Sequence, residues 1–183
     1  MELFLIAVVA VSLVGFWQPA LIHKLSFNPY RIRKHHEYWR WFTYPLVHNG
    51  GLHLATNTLG IWYVLSEVTA GYTNYVAVVL VFGGCLASVV PTYLMRRDDI
   101  DYKLVGASGI MAVLFAAYTL VAGEADPLVV GLMVVWILKE GVLVLREIAG
   151  KLNKQDYTTA HDVHLLGWLY GVGVSAAVLF WYV

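Results

Sequence analysis

Gly106-Ala107-Ser108-Gly109 opens one apolar run of this sequence, and His164-Leu165-Leu166-Gly167-Trp168-Leu169-Tyr170-Gly171 opens another. The first stretch places a hydroxyl between small residues, and the second begins with a histidine that is followed by two glycines at positions +3 and +7. Polar groups inside lipid are expensive, so an ionisable or hydroxyl-bearing residue there indicates function by default. Together the two stretches predict a serine nucleophile and its base on two closely packed membrane helices.

The composition places these stretches in a membrane. Apolar residues make up 60% of the 183 residues and charged residues 13%, and the mean hydropathy is +0.67. That leaves too little polar surface for a soluble globule, and little chain remains for a separate soluble domain. Six apolar stretches are candidate spans, several of them near the ~20 residues that cross a bilayer. They run over residues 3–17, 52–69, 75–95, 108–122, 127–146 and 163–183.

Several simpler features narrow the class of protein to which this chain could belong. The formal net charge is zero and the basic residues are scattered, so no nucleic-acid partner is expected. The single Cys85 excludes an intrachain disulfide. Glu2 stands where the basic region of a signal peptide would be, so we interpret the first stretch as a transmembrane helix.

The connections between the apolar stretches differ in length. About thirty residues, 18–50, separate the first two, and their Trp, Tyr and Arg content favours an ordered element at headgroup depth. The mixed charged and apolar residues over 139–160 predict that the fifth helix ends early, is loosened at Lys139 to Val142, and continues as an amphipathic segment on the surface.

The spacing around Ser108 and His164 fits nucleophilic catalysis. A serine hydroxyl needs a base within hydrogen-bond reach, most often histidine. His164, Gly167 and Gly171 lie at i, i+3 and i+7 and share one helical face. Glycines on that face, with Gly106 and Gly109 flanking the serine, let two helices approach closely.

A second group of polar residues precedes and opens the second span. His53 and Asn57 lie at i and i+4 on one face, and His48 lies just before the helix. Donors preorganised around a developing oxyanion accelerate acyl transfer, each by ~10²- to 10³-fold. We therefore expect His53 and Asn57 to stabilise an oxyanion.

Each feature taken alone has a simpler explanation. A Gly-x-Ser-Gly stretch or a His-x-x-Gly-x-x-x-Gly stripe commonly serves helix packing, and His53 with Asn57 is commonly an interhelical hydrogen-bonding pair. Glu67 is most simply a structural hydrogen-bonding residue, and Asp162 points away from His164 on a regular helix. The functional interpretation depends on the occurrence of the serine stretch, the histidine–glycine stripe and the His53–Asn57 pair in one chain.

In that conjunction the chain resembles the rhomboid intramembrane serine proteases over nearly its whole length. The segment 37–43 contains Trp39-Arg40 and is similar to the family's first-loop motif, and His48, His53 and Asn57 are similar to its His-x₄-His-x₃-Asn motif. Residues 106–109 and 164–171 are similar to its nucleophile and base motifs.

The resemblance implies an all-α, polytopic fold: one domain over residues 1–183, with six transmembrane helices and a long structured first loop. It implies an endopeptidase with a Ser108–His164 dyad, no third acid and no cofactor or metal. The oxyanion site would comprise His53, Asn57 and the Ser108 N–H, with His48 in support. Trp39 and Arg40 would be structural.

The resemblance also implies partners and a location. The substrates would be single-span membrane proteins, cut in or beside the lipid bilayer, and the protein would be a multi-pass protein of the cell membrane. By family analogy the fifth helix would be a lateral gate. Neither the physiological substrate nor the oligomeric state can be read from the sequence.

Two departures from the family pattern concern the base. Family members often carry an aromatic residue four positions after the serine, where this chain has Ala112, so another side chain must position the imidazole. Family sequences also often have Ala-His at the base, which makes His161 in Ala160-His161 a rival to His164. Only His164 has glycines at both +3 and +7.

Two other classes are alternatives. A silent rhomboid-like scaffold would bind membrane proteins without cutting them, although an intact Ser108 and His164 argue against it. A metal or haem protein could use His48, His53, His161 and His164 as ligands, although the sequence shows no carboxylate or cysteine cluster beside them.

Overall fold

The computed structural model of the chain describes residues 2–71, 74–121, 126–149 and 161–182. The described residues are mostly helical. In chain order the helices are α1 (Glu2–Trp17), α2 (Pro19–Leu25), α3 (Pro29–His35), α4 (Arg40–Thr43), a 3₁₀ turn (Tyr44–Leu46), α5 (Gly51–Gly71), α6 (Asn74–Val78), a π-helical segment (Val79–Gly83), α7 (Gly84–Ala87), α8 (Val90–Arg96), α9 (Ser108–Val121), α10 (Pro127–Ile148) and α11 (His161–Tyr182).

Over its described residues, each of the six apolar stretches is mostly helical. Within the part of the chain that the structure describes, three helical stretches are long and apolar enough to cross a membrane: Tyr75–Arg96, Pro127–Arg146 and His161–Trp181. The apolar helices Glu2–Trp17 and Ser108–Leu120 are shorter. The prediction of a mostly helical membrane protein is therefore confirmed.

Helix α9 lies at the centre of the described residues. It packs mainly against α11 and α5, and Ile110, Val113 and Leu114 are fully buried. Its 14 residues extend about 21 Å at 1.5 Å per residue. A helix of this length is shorter than the ~30 Å hydrocarbon core of a bilayer. Its first residue is Ser108.

Small residues let α9 and α11 approach closely. A Cβ atom on Gly167 would lie 2.5 Å from the carbonyl oxygen of Gly109, and one on Gly171 would collide with the carbonyl oxygen of Val113. These obstacles are backbone atoms, which cannot rotate away. Glycine at both positions is therefore required by the packing of the two helices.

The segment between α1 and α5 contains short helices that are tied together by Arg40. The buried guanidinium donates from Nη1 to the carbonyl oxygens of His23 (2.8 Å) and Ser26 (2.6 Å), and from Nε to Glu37 Oε2 (2.6 Å). Trp39 donates from Nε1 to the Lys24 carbonyl at 3.3 Å. These bonds help to pair the carbonyls at the chain turns.

The same segment is bonded to the stretch that leads into Ser108. Phe27 and Leu104 exchange two backbone hydrogen bonds, of 2.9 and 3.0 Å. Gly106 N–H donates to the Tyr44 carbonyl at 3.1 Å. The approach to the serine is thus held by the residues between α1 and α5.

The expectation that the fifth helix ends early and is loosened at Lys139 to Val142 is wrong, because α10 runs unbroken to Ile148. Lys139 and Glu140 do not end the helix, since each has a favourable place on it: the Lys139 side chain is half exposed, and Glu140 is buried against two histidines. The proposed surface segment over residues 150–160 lies outside the described residues.

Candidate active site

Ser108 is the first residue of α9, and its approach depends on Gly106. Gly106 has a φ of 106°, which side chains rarely allow. A Cβ atom at this position would also lie 2.6 Å from His53 Cε1 and 2.8 Å from His53 Nε2. Gly106 is therefore required both by its backbone conformation and by its contact with the imidazole.

His164, in the first turn of α11, meets the serine. Its Nε2 lies 2.8 Å from Ser108 Oγ, and its side chain is buried. For the hydroxyl to donate to Nε2, the ring must carry its proton on Nδ1. This geometry places a hydroxyl and an acceptor nitrogen in position for proton transfer.

The rival histidine and the neighbouring acid point elsewhere. His161 Nδ1 lies 2.5 Å from Glu140 Oε2 and not at the serine. Asp162 accepts a hydrogen bond from Thr92 Oγ1 at 2.6 Å. Of the two histidines near the start of α11, the one with glycines at +3 and +7 contacts Ser108.

His48 is a buried histidine whose tautomer follows from its partners. Its Nε2 accepts from Ala107 N–H (3.4 Å) and faces Asn57 Nδ2 at 2.9 Å, so Nδ1 carries the proton. That proton points to Ser12 Oγ at 2.9 Å, while the Ser12 hydroxyl donates to the Leu46 carbonyl at 2.9 Å.

Burial, with a smaller repulsion from His53, lowers the pKa of His48 to about 4. A neutral ring is what this set of partners requires. His48 thus joins α1, α5 and the residue before Ser108. Ser12 was missed by the sequence reasoning, because a serine in an apolar helix carries no signal of its partner.

His53 and Asn57 face the same cavity as Ser108. The cavity, of about 340 Å³, is lined by α5, α9, α10 and α11. Asn57 is held by His48, whereas His53 Nδ1 lies 2.7 Å from Asn49 Oδ1. A neutral His53 can donate from Nε2 only if Nδ1 accepts, which requires Asn49 to turn its NH₂ group towards the ring.

The place of the missing aromatic residue beside the base is taken by another helix. Ala112 is buried, and a Cβ atom on Gly167 would lie 3.5 Å from its side chain. Trp136 of α10 lies against the His164 ring, with centroids 5.2 Å apart and planes at 46°. Phe115 in turn packs edge-on against Trp136, with centroids 5.8 Å apart.

Glu140, one turn after Trp136, is a buried carboxylate that the sequence reasoning did not assign to the site. Its Oε2 lies 2.5 Å from His161 Nδ1 and 3.2 Å from His164 Nδ1, the latter without hydrogen-bond geometry. Lys139 Nζ lies 3.0 Å from its Oε1. The available signal was its i+4 spacing from an aromatic residue on an apolar helix.

The same three side chains form a group that could hold a metal ion. One donor atom each from Glu140, His161 and His164 lie within 4.8 Å of one another. The four histidines suggested as ligands from the sequence therefore do not form one group. His161 and His164 lie with Glu140, whereas His48 and His53 form a separate pair, with ring centroids 4.9 Å apart.

Comparison with known proteins agrees with the helical architecture. A search of curated proteins found no match. The model of the Rhomboid domain matches residues 35–181, about four fifths of the chain and including all the site residues from His48 to Gly171. The chain therefore belongs to the rhomboid family, whose members are typically intramembrane serine proteases.

Proposed function

We propose that the protein is an intramembrane serine endopeptidase that cuts transmembrane or juxtamembrane segments of single-span membrane proteins. The observation that carries the proposal is the 2.8 Å contact between Ser108 Oγ and His164 Nε2 beside a cavity. A partly buried serine hydroxyl within hydrogen-bond distance of an imidazole nitrogen is the arrangement that activates a hydroxyl.

In the proposed reaction, Ser108 Oγ attacks the scissile carbonyl as its proton passes to His164 Nε2. The tetrahedral oxyanion lies at the N-terminus of α9, where backbone N–H groups are unpaired and the helix dipole favours negative charge. His164 then returns the proton to the leaving amine, and water hydrolyses the acyl-enzyme by the same route in reverse.

We also propose that the protein has six spans and a long structured first loop, and that it is a multi-pass protein of the cell membrane. The 21 Å length of α9 supports this placement, because a serine that begins so short a helix lies below the membrane surface. Water would reach it through the cavity at the N-terminal ends of α9 and α11.

The substrate would enter beside α10. The long apolar side chains of this helix form one exposed stripe, which includes Leu128, Leu132, Val135 and Leu138. Such a stripe favours lipid contact. A helix that faces lipid on one side and the cavity on the other is the simplest lateral entrance.

The test is cleavage of a model transmembrane substrate in liposomes by wild type, Ser108→Ala, His164→Ala and His161→Ala. Ser108→Ala and His164→Ala should each lose detectable cleavage while they still insert and fold, and a fluorophosphonate should label wild type but not Ser108→Ala. Normal cleavage by His164→Ala together with an inactive His161→Ala would show that the base is wrongly assigned. Wild type that neither cleaves nor labels would contradict the proposed function.

A further inference from the structure

Helix α10 has a polar group in an unexpected place. About a tenth of its most apolar 18-residue window is buried, and yet Glu140 in the same helix is fully buried. A carboxylate in a lipid-facing helix is costly and persists where it is paired and has a function. Its partners are the histidines of α11.

The proposed catalytic histidine, His164, needs an acceptor beside its Nδ1 atom. To accept the Ser108 proton at Nε2, neutral His164 must carry its own proton on Nδ1. That nitrogen is buried and has no hydrogen bond, and Glu140 Oε2 lies 3.2 Å from it. A carboxylate there favours the Nδ1–H tautomer and stabilises the imidazolium that forms when Ser108 attacks.

We propose that Glu140 is a positioning residue for His164 and that this chain works with a Ser108–His164–Glu140 arrangement. The inference rests on the proposed protease function and deepens it. As Ser108 attacks, its proton moves to Nε2 while Nδ1–H closes on Oε2. The carboxylate stays ionised throughout and receives no proton.

The carboxylate is itself held in place from both sides. His161 Nδ1 binds the oxygen that faces His164, at 2.5 Å, and Lys139 Nζ lies 3.0 Å from the other oxygen. Two cationic or donor groups offset the desolvation of a buried carboxylate. His161 therefore fixes Glu140, which acts on His164.

Trp136 adds a second contact from the same helix. It lies one turn before Glu140 and packs against the His164 ring, while position 112 of α9 holds a buried alanine. Two side chains of α10 thus lie against the imidazole, Trp136 at a tilt to the ring and Glu140 beside Nδ1. This is the compensation that the absence of an aromatic at position 112 requires.

The test compares the kinetics of purified, liposome-reconstituted wild type with those of Glu140→Gln and Glu140→Asp. Gln keeps the shape and removes the charge, so kcat should fall about 10- to 1,000-fold while KM stays within about threefold. Glu140→Asp keeps the charge, so its kcat should be at least tenfold higher than that of Glu140→Gln. Ser108 labelling by a fluorophosphonate should slow in parallel in Glu140→Gln.

The matched control is Glu67→Gln, the same change at an exposed carboxylate of α5, and it should leave kcat unchanged. Wild-type kcat in Glu140→Gln would overturn the positioning role while leaving the proposed function intact. A wild type without Ser108-dependent labelling would contradict both.

Two further outcomes would also overturn the positioning role. The first is a fall in the kcat of Glu140→Gln that Glu140→Asp does not rescue, together with a matching fall in Tm. That pattern indicates that the carboxylate is merely structural. The second is a loss of wild-type cleavage on chelation with restoration by zinc, because the three donors would then be ligands.

Discussion

At the scale of single residues, the site is built on contacts that orient protons. His48 and His164 both carry the proton on Nδ1 if their Nε2 atoms are to accept, and each Nδ1 has a different partner, Ser12 for one and Glu140 for the other. The two histidines therefore have different surroundings: Nε2 of His48 faces Asn57 and the Ala107 N–H, and Nε2 of His164 faces Ser108 Oγ.

Replacement of His53 or Asn57 by Ala should lower kcat about 10- to 1,000-fold with a smaller effect on KM. Both side chains line the cavity beside Ser108, and donors to a developing oxyanion act in the transition state more than in the bound substrate. Steady-state cleavage in liposomes measures the two constants. A rise in KM with unchanged kcat would place these side chains in substrate binding instead.

The stability of the protein should fall as the pH drops from about 6.5 towards 4, in part because of His48. The folded pKa of about 4 lies below the ordinary value of 6.5, so in that window the unfolded chain binds a proton that the folded chain excludes. This contribution to stability is fully present above pH 6.5 and is lost as the pH falls through 4. Thermal unfolding across this range measures it.

The control for the pH series is His48→Gln, which keeps a donor and an acceptor but does not titrate. Its Tm should depend less on pH between 6.5 and 4 than that of wild type. Parallel curves for the two proteins would show that another group is responsible.

At the scale of helices, the pair α9 and α11 decides whether Ser108 and His164 meet. Gly171→Ala should lower the Tm and the cleavage rate, because the added methyl group would collide with the Val113 carbonyl and push the helices apart. Overpacking of this kind costs about 1–3 kcal/mol.

Gly173→Ala is the matched control on the same helix. No atom lies within 4 Å of a Cβ at that position, and alanine favours helix more than glycine does. Its Tm should be equal to that of wild type or slightly higher. If both variants unfold alike, helix propensity rather than close packing explains the result.

At the scale of the whole molecule, the orientation in the membrane is the open prediction, and two arguments disagree. In the predicted six-span topology, eleven of the twelve Lys and Arg residues lie in or beside the first, third and fifth connections, which that topology puts on the side of the active site. The positive-inside tendency would place that side in the cytoplasm. Resemblance to bacterial-type rhomboids favours the opposite, with both termini inside, and we expect this orientation because the first connection is folded as a unit.

A cysteine at Asp101 on a Cys85→Ala background tests the orientation in intact cells. Asp101 is exposed and lies three residues before Leu104, whose backbone pairs with Phe27, so it is on the side of the first connection. Labelling by an impermeant maleimide supports an active site that opens outward. Protection until lysis would reverse the orientation.

The sequence by itself determined the helical class, the membrane setting and the order of the motifs. Apolar stretches must bury their backbone polar groups in helices when they enter lipid, so composition is sufficient for that conclusion. The i, i+3 and i+7 spacing also placed His164 and its glycines on one face, because helical periodicity is local.

The tertiary structure alone decided which side chains surround the base. Glu140, Trp136 and Ser12 are distant in sequence from the residues that they contact, and each reaches the site only because α10 or α1 packs beside it. The unbroken course of α10 through Lys139 and Glu140 follows from the same cause. Local polarity predicts a helix end, whereas burial of the carboxylate against two histidines of α11 allows the helix to continue.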